Sequence, residues 1–371
     1  MLTSPLRAPS ACGRPDAAAA CAAPETLLSR AAVAVGAVSA SVAGCFVALF
    51  AATSGWGSFF QSDAWWFRHV ATHLPFGTEH SGEAAYRTGR ILYPFLGWVL
   101  AFGQSAWTQW SLPLLNVLAI GLIAAVAAEF ARREGMSPKL GYAVFLVPGL
   151  WATFGYALSD ALAVAFVLLA LLAVRQERLV VAWAAFALAG LTREAVLLAL
   201  LPVLWCEARD GRWKRALGLL SSVIPILAWH AVLRVKFGFW PMLAPRGDGR
   251  MWDLPARGWV LALSDDGNRF LAQTTLIVLV TLFIGVVVWR WGRSYPMGWV
   301  GVFLAATTLL LTEHAWRFRW ELLRVLLLTH VCAVIALTPA VVRAWQRRTE
   351  RVNSELTTLA LEPVRNVPPG S

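Results

Sequence analysis

The sequence predicts an all-α protein that crosses a membrane many times. Of its 371 residues, 58% are hydrophobic and only 14% are charged, whereas a soluble protein carries about 25% charged residues. Apolar runs that approach the ~20 residues needed to cross a bilayer recur from end to end. Lipid cannot satisfy backbone N–H and C=O groups, so each run must form a helix or join a closed barrel. The runs are continuous rather than alternating, which excludes a barrel.

The apolar runs divide the chain into three parts. We predict a disordered cytoplasmic tail over residues 1–30, a transmembrane domain over 31–341 and a basic cytoplasmic tail over 342–371. The first run is too long for a cleaved signal peptide and favours a signal anchor. About ten transmembrane helices of near-spanning length are predicted, at residues 31–53, 107–130, 140–157, 159–174, 179–191, 195–206, 216–236, 270–289, 296–312 and 320–341.

Residues 90–103, RILYPFLGWVLAFG, are apolar but too short to cross, and a polar loop over 54–89 precedes them. If they form a re-entrant or interfacial helix, every short loop on the inner side is basic, as the positive-inside rule requires. These inner loops contain Arg132, Arg133, Lys139, Arg175, Arg178, Arg209, Arg212, Lys214, Arg215, Arg290 and Arg293. The rule also explains the net charge of +11, so we expect no nucleic-acid partner.

Two charges interrupt the apolar stretch AFALAGLTREAVLLALLPVLW at residues 185–205. They are Arg193 and Glu194, at the point where the short helices 179–191 and 195–206 meet. Each charge would cost about 2.5–3.5 kcal/mol at a helix centre on insertion scales. We interpret the pair as the wall of a polar cavity that opens to the outer face. The alternative is an ion pair that only caps a hairpin.

Other polar side chains fall on the same predicted outer side. They are Asp63 in FFQSDAWWFRHV, then Tyr86, Arg87, Arg90 and Tyr93 in EAAYRTGRILYP, then Ser159 and Asp160 in GYALSDALAVAF, and finally Glu313, His314, Arg317, Arg319, Glu321 and Arg324 in LTEHAWRFRWELLRVLL. The inner side carries only the basic loops. This asymmetry predicts a functional site on the outer face.

The order of these motifs resembles the GT-C class of membrane glycosyltransferases. The similar features are the early acid Asp63, the stretch YRTGRILYP, the helix start SDALAVAF, and LTRE after a Gly/Ala-rich helix. The resemblance covers about residues 31–341 and implies a GT-C-like fold with a polyprenyl-phosphate sugar as donor. Many members carry two adjacent acids in the first outer loop. Here Ser62 precedes Asp63, which departs from the metal-assisted pattern.

Transfer of a sugar from a lipid phosphate to a hydroxyl group needs a base and a stabiliser for the departing phosphate. Asp63 is the predicted base, because carboxylates commonly accept such protons. Guanidinium forks match phosphate oxygens, and the candidates are Arg193, Arg87, Arg90, Arg317 and Arg319. Supporting roles are assigned to Glu194, Asp160, Tyr93 and Glu321. A single displacement inverts the anomeric carbon, and we expect neither a metal ion nor another cofactor.

The sequence thus favours a multi-pass enzyme of a bacterial plasma membrane, surrounded by membrane lipid, with its active site facing outside. It would move a sugar from a polyprenyl-phosphate donor to a glycan, lipid or protein acceptor. Two other functions stay open. A lipid-linked sugar transporter or flippase would be expected to show inverted repeats and a midplane site. A non-catalytic membrane protein would leave the outer cluster unexplained. For Asp160, a helix N-cap formed with Ser159 is favoured over a role as catalytic acid.

Overall fold

The computed structural model describes residues 26–61, 63–76, 82–241, 254–264, 270–291, 296–312, 315–316 and 319–361. Over these residues the protein is 84% helical and has no β-strand, which confirms the all-α prediction. Five helices in this part of the chain are long and apolar enough to cross a membrane, at Arg30–Ser54, Ser105–Arg133, Trp213–Phe237, Leu271–Arg290 and Leu327–Glu350. They are compatible with an integral membrane protein. The tail predicted over 1–30 and the end of the tail predicted over 342–371 lie largely outside the described residues.

Sixteen α-helices follow one another along the described chain. They are α1 (Arg30–Ser54), α2 (Asp63–Thr72), α3 (Gly82–Thr88), α4 (Leu92–Leu100), α5 (Thr108–Arg133), α6 (Pro148–Phe154), α7 (Asp160–Arg175), α8 (Leu179–Thr192), α9 (Leu200–Arg209), α10 (Trp213–Leu220), α11 (Ile224–Phe237), α12 (Arg257–Leu263), α13 (Leu271–Trp291), α14 (Pro296–Thr307), α15 (Arg319–Val325) and α16 (Leu327–Leu361). Short 3₁₀ helices lie at Trp56–Phe59, Ser105–Trp107, Pro138–Leu146, Glu194–Ala199, Ser221–Val223 and Thr308–Leu310.

Most predicted helices coincide with observed ones. The predictions at 31–53, 107–130, 159–174, 179–191 and 270–289 match α1, α5, α7, α8 and α13 within a few residues. Those at 195–206, 216–236 and 296–312 each combine α-helix with a 3₁₀ turn. The apolar run 90–103 contains α4, whose nine residues span only about 14 Å at the usual helical rise. That length cannot cross a hydrocarbon core of about 30 Å.

Two predicted helices are wrong as continuous elements. The run 140–157 is split into a 3₁₀ helix ending at Leu146 and α6, which begins at Pro148. Proline lacks an amide donor and forces the preceding residue out of the helical region, and Val147 is indeed extended, with φ −82° and ψ 112°. The run 320–341 is divided at Leu326 into α15 and α16, and α16 continues without a break to Leu361.

Helix α5 lies at the centre of the core and is buried over most of its length. It packs against α1 where two glycines meet. A Cβ atom on Gly36 would lie 2.7 Å from the carbonyl oxygen of Gly121, and one on Gly121 would lie 2.9 Å from that of Gly36. Small residues at such contacts let helix backbones approach closely, which is the usual basis of packing in membranes.

Hydrogen bonds fix which helix ends lie together. At one end, the Gln176 side chain donates to the carbonyl of Leu27, and the Ser29 amide donates to Glu129. At the other end, the Ala157 amide donates to the carbonyl of Phe59 over 3.0 Å. This second contact brings the start of α2 close to the start of α7, where the candidate site lies.

Candidate functional site

Arginines and carboxylates from five separate segments form a cluster of ion pairs, here called the arginine–carboxylate network. Its arginines are Arg87, Arg90, Arg193 and Arg324, and its carboxylates are Asp63, Asp160, Glu194 and Glu321. The two kinds of charge balance one another. Burial of an unpaired charge is very unfavourable, so this pairing allows the arginines to lie inside the fold.

Asp63 is the first residue of α2 and lies between two arginines. Arg87 donates to it through both terminal nitrogens, with Nη2–Oδ1 at 2.7 Å and Nη1–Oδ2 at 3.0 Å. Nη2 of Arg324 lies 3.4 Å from Oδ2. Burial alone would raise the pKa of Asp63, but the nearby arginines, first Arg87 and then Arg324, lower it below its ordinary value. Asp63 is therefore ionised at neutral pH.

Arg324 links three helices through one guanidinium. Besides Asp63 on α2, it donates to Oδ2 of Asp160 on α7 from Nε at 3.3 Å and Nη2 at 3.2 Å. Its Nη1 donates to Oε1 of Glu321, one turn earlier on α15, at 2.6 Å. Sequence reasoning placed Arg324 in the outer turn but gave it no role. Its spacing of three residues from Glu321 was the available signal, because such pairs meet on one helix face.

The position of Arg324 depends on close packing beneath α15. A Cβ atom added to Gly149 of α6 would overlap the carbonyl oxygen of Leu323. The two backbones are therefore in direct contact beside Arg324. This contact is made directly after the break at Pro148, which the sequence analysis did not predict.

Arg193 pairs with Asp160 across the ends of two neighbouring helices. Arg193 has an extended backbone, which separates α8 from the 3₁₀ helix Glu194–Ala199, and its guanidinium contacts the carboxylate of Asp160. The two side chains are only 6% and 3% exposed. The Ser159 side chain makes no hydrogen bond that caps α7. The Asp160 carboxylate forms ion pairs with Arg193 and Arg324. The ion-pair role thus replaces the N-cap interpretation.

Arg90 forms a second bidentate pair beside the first. Its Nε and Nη2 donate to the two oxygens of Glu194, each over 3.1 Å. It also donates to the hydroxyl of Tyr86. The guanidinium carbons of Arg90 and Arg87 lie 4.5 Å and 4.9 Å from the centroid of the Tyr86 ring, within the range of cation–π attraction. Tyr86, which sequence reasoning left without a role, thus joins the two bidentate pairs.

Of the remaining sequence candidates, one lies away from the network and two have no described side chain. Tyr93 is fully buried in the core, where its hydroxyl donates to the carbonyl of Leu112 over 3.0 Å and its ring packs on Phe67. Arg317 lies outside the described residues. Arg319 begins α15, but its side chain is not among those described.

A small apolar cavity of about 50 Å³ ends at the network. Asp160, Arg193 and Arg324 form its charged end. The rest of its wall comes from α7, the 3₁₀ helix Glu194–Ala199, α14, the 3₁₀ helix Thr308–Leu310 with the residue after it, and α16. The side chains are Val164, Val196, Leu198, Leu304, Thr307, Thr308, Leu311, Leu328 and Thr329. The cavity therefore joins a charged end, made of two arginines and one carboxylate, to an apolar wall.

Comparison with protein-family models, with curated proteins and with solved structures finds no match to this chain. The function is therefore argued from the network and the cavity.

Proposed function

We propose that this protein is a GT-C-like membrane glycosyltransferase that uses a polyprenyl-phosphate sugar as donor. The observation that supports this most directly is the buried arginine–carboxylate network at the charged end of an apolar cavity. Ionisable groups at membrane depth are costly and mark functional sites by default. A network of buried arginines beside an apolar space suits a lipid phosphate better than it suits a purely structural role.

The proposed topology has about ten spans, as the apolar runs suggest, with both termini inside and the helix α4 held at the outer interface. In this topology the network faces outside. The donor phosphate would bind at Arg193 and Arg324, where it takes over partners that Asp160 holds in the free protein. The first isoprenyl units would extend along the apolar wall of the cavity.

Each reaction step has a group in the network. The acceptor hydroxyl oxygen attacks the anomeric carbon while the bond from that carbon to the phosphate oxygen breaks, and its electron pair goes to the phosphate. The hydroxyl proton goes to the carboxylate of Asp63. The arginines stabilise the second negative charge that develops on the phosphate. A single displacement of this kind inverts the anomeric carbon.

The bidentate contact with Arg87 affects how Asp63 would act. It orients the carboxylate and keeps it ionised, but the lowered pKa makes Asp63 a weak base. Proton transfer would then accompany formation of the new glycosidic bond, when the hydroxyl proton becomes acidic. Asp63 would take up the proton late rather than create a free alkoxide.

The test is transfer by purified Asp63→Asn with a panel of polyprenyl-phosphate sugars. The variant keeps the size of the side chain but loses the basic oxygen, so we expect transfer to fall at least ~100-fold, within the usual contribution of a general base, with donor binding retained. Asp210→Asn is the matched control, since Asp210 pairs with Arg212 away from the network, and it should transfer at the wild-type rate. Wild-type transfer by Asp63→Asn would remove Asp63 from the mechanism. Movement of donor lipid across proteoliposomes without transfer would favour a flippase.

A further inference from the structure

A groove of about 460 Å³ lies along α2, on the side of the helix that is not packed into the core. This volume is typical of a ligand pocket. One wall is formed by α2 and the residue after it, with the side chains Trp65, Arg68, His69, Thr72 and His73. The other wall is formed by Ser105 and Ala106, which belong to the 3₁₀ helix Ser105–Trp107. The proposed reaction uses none of these side chains.

Three flat rings follow one another along the α2 wall of the groove. Trp65 and His69 are stacked, with ring centroids 5.1 Å apart and an angle of 9° between the ring planes. The ring of His73 continues the row, 4.7 Å from that of His69. Residues four apart share one face of a helix, which explains the row. The Trp65 side chain remains 45% exposed, so part of its ring surface is open to a ligand.

Polar groups lie beside these rings. Nδ1 of His73 is 2.9 Å from Oγ1 of Thr72 and 3.0 Å from the carbonyl oxygen of His69, and these contacts fix the orientation of the imidazole. The guanidinium of Arg68 lies 5.1 Å from the centroid of the Phe60 ring, a cation–π contact that restrains it. The groove thus presents flat ring faces and hydrogen-bonding groups side by side.

We propose that this groove binds a saccharide chain. The C–H groups on one face of a sugar ring carry partial positive charge and pack on the negative face of an aromatic ring. The sugar hydroxyls can both donate and accept hydrogen bonds, which suits imidazole, threonine and guanidinium groups. An acyl chain would cover the same polar groups without giving them a partner, and burial of that kind is unfavourable.

The groove is separate from the arginine–carboxylate network, although both use α2. Asp63 begins this helix, and residues two apart, such as Asp63 and Trp65, do not face the same side. His69 lies about 9 Å further along the helix axis than Asp63, at the usual rise per residue. A saccharide in the groove would therefore pass beside the network rather than enter it. Such a site suits the distal units of a glycan acceptor. That use rests on the proposed function, whereas saccharide binding itself does not.

The test is direct binding, measured by calorimetry without donor lipid and in a detergent that has no sugar headgroup. The probes are neutral hexasaccharides of glucose, mannose or galactose, each compared with its monosaccharide. We expect wild-type protein to bind at least one hexasaccharide, and to bind it more tightly than the monosaccharide. Trp65→Ala should weaken this binding about tenfold, near the upper end of what one aromatic contact contributes. Trp110→Ala is the matched control, because Trp110 is also exposed, at 52%, but contacts Trp56 and does not line the groove.

The inference is overturned if wild-type protein binds none of the hexasaccharides, or if Trp65→Ala binds as tightly as wild type. An equal loss in Trp110→Ala would also overturn it, because the effect would not belong to the groove. If Trp65→Ala does not fold, Ala106→Trp decides. Ala106 is exposed, and a large ring at this position should fill the groove and abolish binding without any change to α2. Retained binding by this variant would contradict the proposal.

The two proposals can fail separately. Saccharide binding that depends on Trp65, in a protein that transfers no sugar from any polyprenyl-phosphate donor, would leave the groove in place and refute the proposed function. Transfer by a protein whose saccharide binding does not depend on Trp65 would support the proposed function and refute the groove.

Discussion

Ion pairs lie at both ends of the helices, and the two sets are built differently. At the end where α1 begins, Glu129 pairs with Arg132 and Arg133, which follow it within one helical turn. In the arginine–carboxylate network, most partners are far apart in sequence: Arg324 lies 164 residues from Asp160 and 261 from Asp63. The pairs of Glu129 are therefore specified locally, although Glu134 at the same end holds Arg343 from 209 residues away. Most pairs of the network exist only once the fold has formed.

The arginines of the two sets also differ in how far their side chains are exposed to solvent. The side chains of Arg132 and Arg343 are 36% and 45% exposed, whereas those of Arg90 and Arg324 are 2% and 5% exposed. Exposed pairs contribute about 0–1 kcal/mol. Buried pairs incur a desolvation penalty that can exceed their attraction, so well-packed apolar residues often serve stability as well or better. The contrast supports the proposal that the network serves binding rather than stability.

The largest expected effect comes from removal of the central cation. Arg324→Ala leaves Asp63, Asp160 and Glu321 without their shared partner, and loss of one member of a buried pair costs about 3–5 kcal/mol. Arg132→Ala at the other end should cost less, because Glu129, although buried, keeps Arg133 and the Ser29 amide as partners. Thermal unfolding of both purified variants in detergent measures the difference. Equal losses would show that the two sets of ion pairs are energetically alike and would remove the basis of the comparison.

A smaller effect is expected from a change that keeps the charge. Arg193→Lys preserves the cation but loses the planar fork that a phosphate or carboxylate engages through two hydrogen bonds. We expect transfer to fall at least about tenfold, the effect of losing one charge-assisted hydrogen bond, with a modest loss of stability. Arg133→Lys, which alters an ion pair of Glu129 at the other end, is the control. It should be close to wild type in both transfer rate and stability. Full transfer by Arg193→Ala with only reduced expression would show that Arg193 is structural.

Much of the helical layout could be predicted from the sequence, because apolar run length and turn residues are local signals. The failure at Val147–Pro148 came from treating an apolar stretch as one helix although it contains a proline that breaks it. The interruption at Leu326 had no comparable signal. Hydropathy therefore located the helices better than it located the breaks within them.

The candidate site was predictable in membership but not in pairing. Asp63 and Arg87 lie in the predicted loop 54–89 and Arg90 follows it directly, so the sequence already placed these three residues on one side. Which carboxylate pairs with each arginine depends on how helices that are distant in sequence pack together. The pattern of residues along the sequence does not contain that information. Tyr93 illustrates the limit. It belongs to the same motif as Arg90 and follows it by three residues, yet it lies in the core.

The pH dependence of stability gives a smaller and more specific effect. Because Asp63 has a lowered pKa in the folded protein, its ion pairs contribute fully above the ordinary aspartate pKa of about 3.9. Below that value the unfolded chain takes up a proton first, so the contribution is lost as the pH falls through the folded-state pKa. The difference in melting temperature between wild type and Asp63→Asn should stay constant from pH 5 to 8, as the same ordinary value implies, and shrink at lower pH. A difference that shrinks already between pH 7 and 5 would mean that Asp63 is not held in its ionised form.

The smallest effect distinguishes membership of the network from mere proximity to it. Tyr93→Phe removes only the hydroxyl that donates to the carbonyl of Leu112. That carbonyl lies within α5 and keeps its helical position, so the loss should be about 0.5–1.5 kcal/mol, the net value of one hydrogen bond, with transfer unchanged. Tyr86→Phe is the matched comparison, because the Tyr86 hydroxyl accepts from Arg90 and its loss should slow transfer. Melting temperatures and transfer rates of the two variants, measured side by side, decide the matter. If Tyr93→Phe slows transfer as much as Tyr86→Phe, the functional site extends beyond the arginine–carboxylate network into the core around α5.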